Sequence, residues 1–478
     1  MFFRQIEDPY LAQYAYLIGC QATGEALLID PERDIDRYVT VALQNNLRIV
    51  AVAETHIHAD FVSGLKEFAQ NYPVKAYVSA EGGDDWQYQW KAEAPAKMVH
   101  LKHGNVFRVG NIEIEAVHTP GHTPEHLCYL ITDRGSQAEE AMGMITGDFV
   151  FVGDVGRPDL LESAAGVVGA KEPSAHALYR SLLEFFQLPD YLQVWPGHGA
   201  GSVCGKSLGS IPESTVGYER RYNRALLAAQ SGEERFVREI LHGQPEPPMY
   251  FAQMKRWNKQ GPPLLPAEFN LALIPPDKLS ELAKDSKTVI IDTRLEREKF
   301  FTGHVDGSIW IPLSKSFPAY AGSLISPDQN VVILCYDALA ELAVRMLWRI
   351  GFDNIMGYAS TTDFDKWLKT AKPALTQIPY TTFAKLMGEA VGYYLLDVRS
   401  ESEYDEGHLP NAICIPSTRV MSRLSELPRD KKIAVHCSAG SRSTAVASYL
   451  KRKGFQAVAV DEGIEAATKY LIREDLPA

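Results

Sequence analysis

The chain has 478 residues, of which 46% are apolar and 23% charged, with a formal net charge of −12. That length sets an expectation of two to four domains, each with enough apolar content to bury a core. The acidic balance excludes a general nucleic-acid binder, because no surplus of Lys and Arg is left to neutralise phosphates.

At the N-terminus, MFFRQIEDPY has no basic segment followed by an apolar run, so no signal peptide is read. Residues 10–31 alternate and turn at Gly24, which predicts two strands ending at Asp30-Pro31. Asp34–Asn45 reads as a helix capped by Asp34. The apolar run Arg48–Glu54 reads as a buried strand, with THIHADF (Thr55–Phe61) as the tight loop after it. A helix over Phe61–Asn71 and a strand over Val74–Ala80 follow. Asn105–Val117 is strand-rich around a Gly110-Asn111 turn and runs into HTPGHTP (His118–Pro124). His126–Thr132 and Ala141–Val152 read as strands, the second carrying Thr146, Gly147 and Asp148. Ser174–Leu188 reads as a helix, Leu192–Trp195 as a strand ended by PGHG (Pro196–Gly199), and Pro212–Gln230 as helical. Strands with polar loops at their ends, alternating with helices, predict α/β layers with a site along one sheet edge. The proline-rich stretch Gly243–Pro266 marks a domain boundary.

Beyond that boundary lies an internal repeat. The first copy has VIIDTR (289–294), GHVDGSIWIPL (303–313), VVILC (331–335) and RIGFDNI (349–355). The second has YLLDVR (394–399), GHLPNAICIP (407–416), IAVHC (433–437) and RKGFQAV (452–458). Each copy predicts a small parallel-sheet α/β unit. The boundaries read this way are 1–250, a linker at 251–269, and repeats at 270–376 and 377–478. The six cysteines are widely spaced with no CxxC pair, which reads as reduced thiols. No uninterrupted apolar stretch of about 18 residues occurs. A soluble, cytoplasmic protein without membrane or nucleic-acid partners is the expectation.

Candidate metal-binding side chains concentrate at the strand ends: His56, His58, Asp60, His118, His122, Asp148 and His198. Neutral imidazole nitrogen with carboxylate oxygen suits zinc or iron. In this order, THIHAD, TPGHT, TGD and PGHG resemble the metallo-β-lactamase superfamily over roughly residues 1–250. That resemblance implies an αββα sandwich. The superfamily loop is HxHxDH, and Phe61 stands where its last histidine would help hold a second metal. This departure argues for one metal and is most similar to the persulfide dioxygenase branch, which carries one ferrous iron. The resemblance implies His56, His122 and Asp148 as ligands, a facial triad with open positions. It implies His58, Asp60 and His198 as outer groups that orient them. Zinc is the other metal, and His118 is read as structural. In GRPD, Arg157 is read first as an ion-paired structural residue and second as a contact for an anionic thiol substrate. Lys206 is a candidate partner for a substrate carboxylate, and Cys204 a candidate pocket thiol or a small buried residue.

In the second repeat, CSAGSRS (Cys437–Ser443) lies between a strand and an apolar helix. Its small residues let backbone N–H groups curl inward. Together with the helix N-terminus and Arg442, they can lower a thiol pKa and hold an anion. The loop resembles the rhodanese active loop, which implies Cys437 as a sulfur carrier and Arg442 as its cationic partner. In the first repeat the loop reads CYDALAE from Cys335, with Ala338 and Ala340 in place of the glycine and arginine. Asp337 and Glu341 add negative charge there, so this copy is expected to be inactive. The resemblances imply a dioxygenase–rhodanese fusion acting in sulfide detoxification as a homo-oligomer. It would oxidise a thiol persulfide, such as glutathione persulfide, with O2 to sulfite and exchange sulfur with sulfite or thiosulfate. The alternatives are a thioester hydrolase resembling glyoxalase II fused to a sulfurtransferase, and a sulfur-carrier or redox-sensing protein.

Overall fold

The computed structural model describes residues 1–163, 168–266, 269–371, 380–388 and 392–471. It divides into two compact units: Met1–Pro247 with Phe251–Pro266, and Pro248–Tyr250 with Ala267–Ala478. The expected boundary at 376/377 lies outside the described residues.

In the first unit, one sheet has the strand order Phe2–Asp8, Gln13–Cys20, Glu25–Ile29, Arg48–Ala53, Lys75–Ser79 and Lys97–Leu101. The other runs Ser214–Thr215, Gln193–Pro196, Gly143–Gly147, Leu127–Asp133, Ile112–His118 and Val106–Val109. Between them, Tyr16, Ile18, Leu27, Ile29 and Ala53 meet Ile114, Leu127, Tyr129, Ile145 and Trp195. Each Leu, Ile or Phe buried this way contributes about 1.5–3 kcal/mol relative to exposure. Helices Asp36–Gln44 and Leu65–Asn71 cover the outer face of the first sheet through Tyr38, Leu65 and Phe68. Helices Lys171–Phe185 and Glu233–Leu241 cover that of the second through Leu178, Leu182, Phe236 and Ile240. The unit is therefore an αββα sandwich. Arg48–Ala53, Gly143–Gly147 and Gln193–Pro196 deliver their last residues, and the loops after them, to one edge of it.

The second unit holds two parallel sheets. One has the order Ile309–Trp310, Thr288–Asp292, Asn330–Cys335 and Ile355–Ser360. The other has Tyr380–Thr381, Gln456–Val460, Lys432–His436, Tyr393–Asp397 and Ile413–Cys414. Matching motifs occupy matching strands: the aspartates of VIIDTR and YLLDVR each pair with an arginine two residues on, at 2.6 Å (Asp292–Arg294) and 2.7 Å (Asp397–Arg399).

Three local expectations change. The strand expected over Ala141–Val152 ends at Gly147, where φ is +48°. A Cβ there would lie 2.7 Å from both Thr55 Oγ1 and His126 Nε2, so only glycine lets the chain turn at this point. The helix expected over 212–230 divides at Asn223, whose buried side chain accepts from Ala225 and Leu226 N–H and so starts a new helix.

The third change concerns the 251–269 linker. Its first ten residues form the helix Phe251–Gln260, which buries Phe251, Met254 and Asn258 on the first unit. Asn258 accepts from Ser63 N–H at 2.9 Å and donates to the carbonyls of His58 (2.8 Å) and Phe61 (2.7 Å). The proline content hid an amphipathic turn that clamps the THIHADF loop. Replacing Asn258 by Ala leaves three buried backbone groups unpaired. The first unit's unfolding free energy in urea is expected to fall by about 2–4 kcal/mol.

Candidate functional site

His56, His122 and Asp148 come from three different loops, yet their ligand atoms lie within 4.8 Å of one another, and all three side chains are buried. Outer hydrogen bonds set which nitrogen faces the centre. His122 Nδ1 lies 3.0 Å from the Arg157 carbonyl, which can only accept, so Nδ1 carries the proton and Nε2 is the free donor. Thr55 Oγ1 gives its proton to Asp30 Oδ2 at 2.8 Å and accepts from His56 Nδ1 at 2.9 Å, which likewise frees His56 Nε2. Burial lowers the pKa of both rings, and the neighbouring imidazoles lower that of His56 further, so both are neutral, the ligand form. Both Asp148 oxygens are buried without a hydrogen bond among the described residues, although His122 Nε2 and His198 Nε2 approach to 3.4 and 3.5 Å. Two aligned imidazole lone pairs and an orphaned carboxylate fit a divalent transition metal. Asp148 is aimed by His126: Thr119 Oγ1 takes the Nδ1 proton at 2.8 Å, and Nε2 accepts from Asp148 N–H at 3.0 Å.

His58 faces elsewhere. Its Nε2 lies 3.1 Å from both Asp30 Oδ1 and Glu54 Oε2. Burial opposes a proton on this ring, but Asp30 and Glu54 outweigh it and raise its pKa well above the usual value. With Nε2 turned to both carboxylates, His58 ties the loop to Asp30 and Glu54 instead of joining the cluster. Phe61 is fully buried and lies against the His58 ring, with centroids 4.3 Å apart. His118 bonds the Pro124 carbonyl at 2.8 Å and stays out of the cluster.

A second group, Asp60, His198 and Cys204, also lies within 4.8 Å. His198 Nδ1 is held by the Ala12 carbonyl at 3.1 Å, which turns Nε2 to Asp60 Oδ2 at 3.2 Å. The fully buried Cys204 thiol thus stands beside the residues of an adjoining metal position, where Phe61 supplies no imidazole. Burial, joined by Asp148 and Asp60, raises its pKa to about 12.

Two candidate substrate contacts make structural bonds, which for Arg157 is the role read first from the sequence. Arg157 is fully buried and spends its guanidinium on Asp159, at 2.7 Å through both Nε and Nη2, and on the carbonyls of Val203 and Pro245. Lys206 donates to the Glu239 and His242 carbonyls at 2.6 and 2.9 Å, closing the C-terminal end of helix Glu233–Leu241. Four of the five Arg157 donors and two of the three Lys206 ammonium donors are thus committed to protein acceptors. A small slot beside the cluster is instead lined by Ile57, Ala59, His122, Leu161, Phe251 and Lys255. Burial lowers the Lys255 ammonium to about 8, although Glu125 opposes this. Lys255, Asn258, Asp30, Glu54 and His126 escaped sequence reading. The Asp30-Pro31 strand end and the apolar spacing of Phe251 and Met254 were the only local signals.

In the second unit, Cys437 follows strand Lys432–His436 and precedes helix Ser441–Arg452. Its buried Sγ accepts from Gly440 N–H at 3.1 Å and Ser443 N–H at 3.3 Å. Arg442 makes a fork to Glu403 at 2.6 and 2.7 Å and also donates to Ser438 Oγ. Burial pushes the Glu403 carboxyl up, but these bonds outweigh it and hold its pKa at about 2. Arg442 is therefore anchored at the loop's rim rather than bonded to the thiol. In the first repeat, burial and then Asp337 raise the Cys335 thiol to about 12. Glu341 is exposed and pairs with Arg345 at 2.8 Å, and Asp337 is the charge that acts on the thiol. Cys414 lies in strand Ile413–Cys414.

Residues 9–198 match the metallo-beta-lactamase superfamily, and residues 275–369 and 381–469 each match the rhodanese-like domain. A crystal structure described as a metallo-beta-lactamase from Staphylococcus aureus subsp. aureus COL is 40% identical. It aligns over 75% of this chain and 99% of its own, with a TM-score of 0.66. The chain belongs to the metallo-β-lactamase superfamily. It is a fusion of one such domain with two rhodanese-like domains. The mitochondrial persulfide dioxygenase of Bos taurus is 26% identical over 226 residues, 47% of this chain and 75% of its own length. The hydroxyacylglutathione hydrolase of Francisella tularensis subsp. novicida is 26% identical over 39% of this chain and 63% of its own. No helix among the described residues is long and apolar enough to cross a membrane.

Proposed function

We propose that the first domain is an iron-dependent persulfide dioxygenase and that the last is a sulfurtransferase working on the same sulfur pool. The observation that carries the first part is the cluster of His56, His122 and Asp148, each offering one ligand atom within 4.8 Å of the others, with the imidazole Nε2 atoms free and the Asp148 carboxylate unbonded among the described residues. Two imidazoles and one carboxylate would hold ferrous iron with positions left open, and the iron would supply dioxygen activation. In the overall reaction, a thiol persulfide, O2 and water yield the thiol, sulfite and two protons. The apolar slot keeps water from the outer sulfur, and Lys255 at its wall meets the negative charge of the thiol carrier. Asp30 and Glu54 hold His58, and through it the loop bearing His56. At Cys437 the thiolate attacks the outer sulfur of thiosulfate: a Cys–S–S bond forms, the sulfur–sulfur bond of thiosulfate breaks, and sulfite leaves. Gly440 and Ser443 N–H groups stabilise the sulfur anion before and after transfer. Sulfite is thus a product of one domain and a partner of the other, and covalent linkage raises its local concentration.

The second reading, a thioester hydrolase with two metals, draws on the Asp60, His198 and Cys204 group. Metal analysis of the purified chain, with oxygen uptake measured across glutathione, coenzyme A and bacillithiol persulfides, separates the two. One iron per chain with oxygen consumed and sulfite released is the expected result. Two metals with thioester cleavage and no oxygen uptake would refute the dioxygenase.

A further inference from the structure

The first repeat lacks the loop chemistry of the second, yet one of its side chains reaches the Cys437 loop. Arg297, at the start of helix Arg297–Thr302, donates from Nη1 to the Ala439 carbonyl at 3.2 Å and from Nη2 to the Asp461 carbonyl at 3.0 Å. Nη2 also lies 2.7 Å from Asp461 Oδ1, so the guanidinium joins the active loop to the end of strand Gln456–Val460. Its side chain is mostly buried.

The Ala439 carbonyl and the Gly440 N–H belong to one trans peptide, so they point in opposite directions. The carbonyl faces Arg297, and the N–H therefore faces inward, 3.1 Å from Cys437 Sγ. Gly440 has φ +85°, a conformation that favours glycine, and Arg297 Nη1 fills the space a Cβ would take. A cation on the carbonyl oxygen also polarises the peptide and strengthens its N–H as a donor.

We infer that Arg297 of the first repeat is a positioning residue for the second, orienting the Ala439–Gly440 peptide so that its N–H stabilises the sulfur anion on Cys437. The inference rests on Cys437 being the sulfur carrier. It gives the first repeat a role that needs no chemistry at Cys335: the repeat supplies the guanidinium that holds the Ala439 carbonyl, while the second repeat's Arg442 is engaged with Glu403 and Ser438. The neighbouring contacts are consistent with a rigid mount. Ser448 Oγ accepts from Trp310 N–H at 3.0 Å, and Arg452 donates to the Gly307 and Thr288 carbonyls at 2.8 and 2.7 Å.

The test measures sulfur transfer from thiosulfate to cyanide by the full chain and its variants. Arg297→Ala is expected to lower kcat about tenfold, with KM for thiosulfate changed by less than about twofold, because one donor to the anion is misaimed while the substrate's route is untouched. Arg297→Lys, which keeps a cation able to reach one carbonyl, is expected to recover part of the rate. Asp461→Asn removes the ion pair but leaves the Ala439 contact, and its kcat should stay within about twofold of wild type. An unchanged kcat in Arg297→Ala overturns the inference. Equal losses in Arg297→Ala and Asp461→Asn overturn it too, since they would reduce Arg297 to an interface ion pair. A wild-type rate no higher than that of Cys437→Ser would refute the carrier reading itself, and the positioning role with it.

Discussion

In the His122→Ala chain, oxygen uptake with a thiol persulfide is expected to fall more than about 100-fold, beyond the loss typical of an outer partner of a ligand. The reason is geometric. His122 Nε2 is aimed by a single bond from Nδ1 to the Arg157 carbonyl, and Arg157 is itself locked on Asp159. The neighbouring imidazoles are committed elsewhere: His126 accepts from Asp148 N–H, His58 is held between Asp30 and Glu54, and His198 is held by the Ala12 carbonyl and turned to Asp60. The remaining pair, His56 and Asp148, is one ligand short of a facial set, so bound iron should fall with the activity. Metal content, measured on the same preparations, is therefore the second readout. A variant that loses uptake but keeps its full iron complement would show that His122 serves the substrate and not the metal.

The second large effect is expected at the thiol loops. Cys437→Ser should reduce thiosulfate sulfur transfer to background, whereas Cys335→Ser should leave it essentially unchanged. Both cysteines stand at the ends of equivalent strands, Cys437 just after Lys432–His436 and Cys335 as the last residue of Asn330–Cys335, and both are buried, so position does not separate them. Their surroundings do. Cys437 receives two backbone N–H groups and lies at the start of helix Ser441–Arg452. Cys335 faces the Asp337 carboxylate, and burial with that charge raises its thiol to about 12, which leaves almost no thiolate at neutral pH. Retained transfer in Cys437→Ser, or its loss in Cys335→Ser, would reverse the assignment.

The strand-end motifs were legible in the sequence because a metal site concentrates unusual residue types in short segments beside apolar runs. THIHADF, TPGHT, TGD and PGHG can be seen without knowing what they touch. The tandem repeat was legible for a similar reason: four matched segments in one order are hard to produce without shared architecture. The helix Phe251–Gln260 was hidden because prolines on both sides disguise an amphipathic turn as a tether. The sequence leaves both a structural and a substrate role open for Arg157 and Lys206, because a charged residue near a motif looks the same in sequence whether its donors are free or spent.

The sequence alone therefore determined α/β layers in the first domain, a tandem repeat of small α/β units beyond it and the residue types available for chemistry, which follow from local patterning along the chain. The αββα sandwich and the rhodanese-like character came from resemblance of the motifs. Only the tertiary structure decided which atoms face the centre. Asp30 against Thr55, Arg157 against His122 and Ala12 against His198 are separated by 25, 35 and 186 positions. Such partners set tautomers, orientation and charge, and contacts of that range leave no local mark. The same holds for Cys204 beside Asp60 and for Arg297 at the Cys437 loop. An ordinary cysteine and an ordinary surface-type arginine acquire a role only when folding brings them next to an anion or a peptide that needs them.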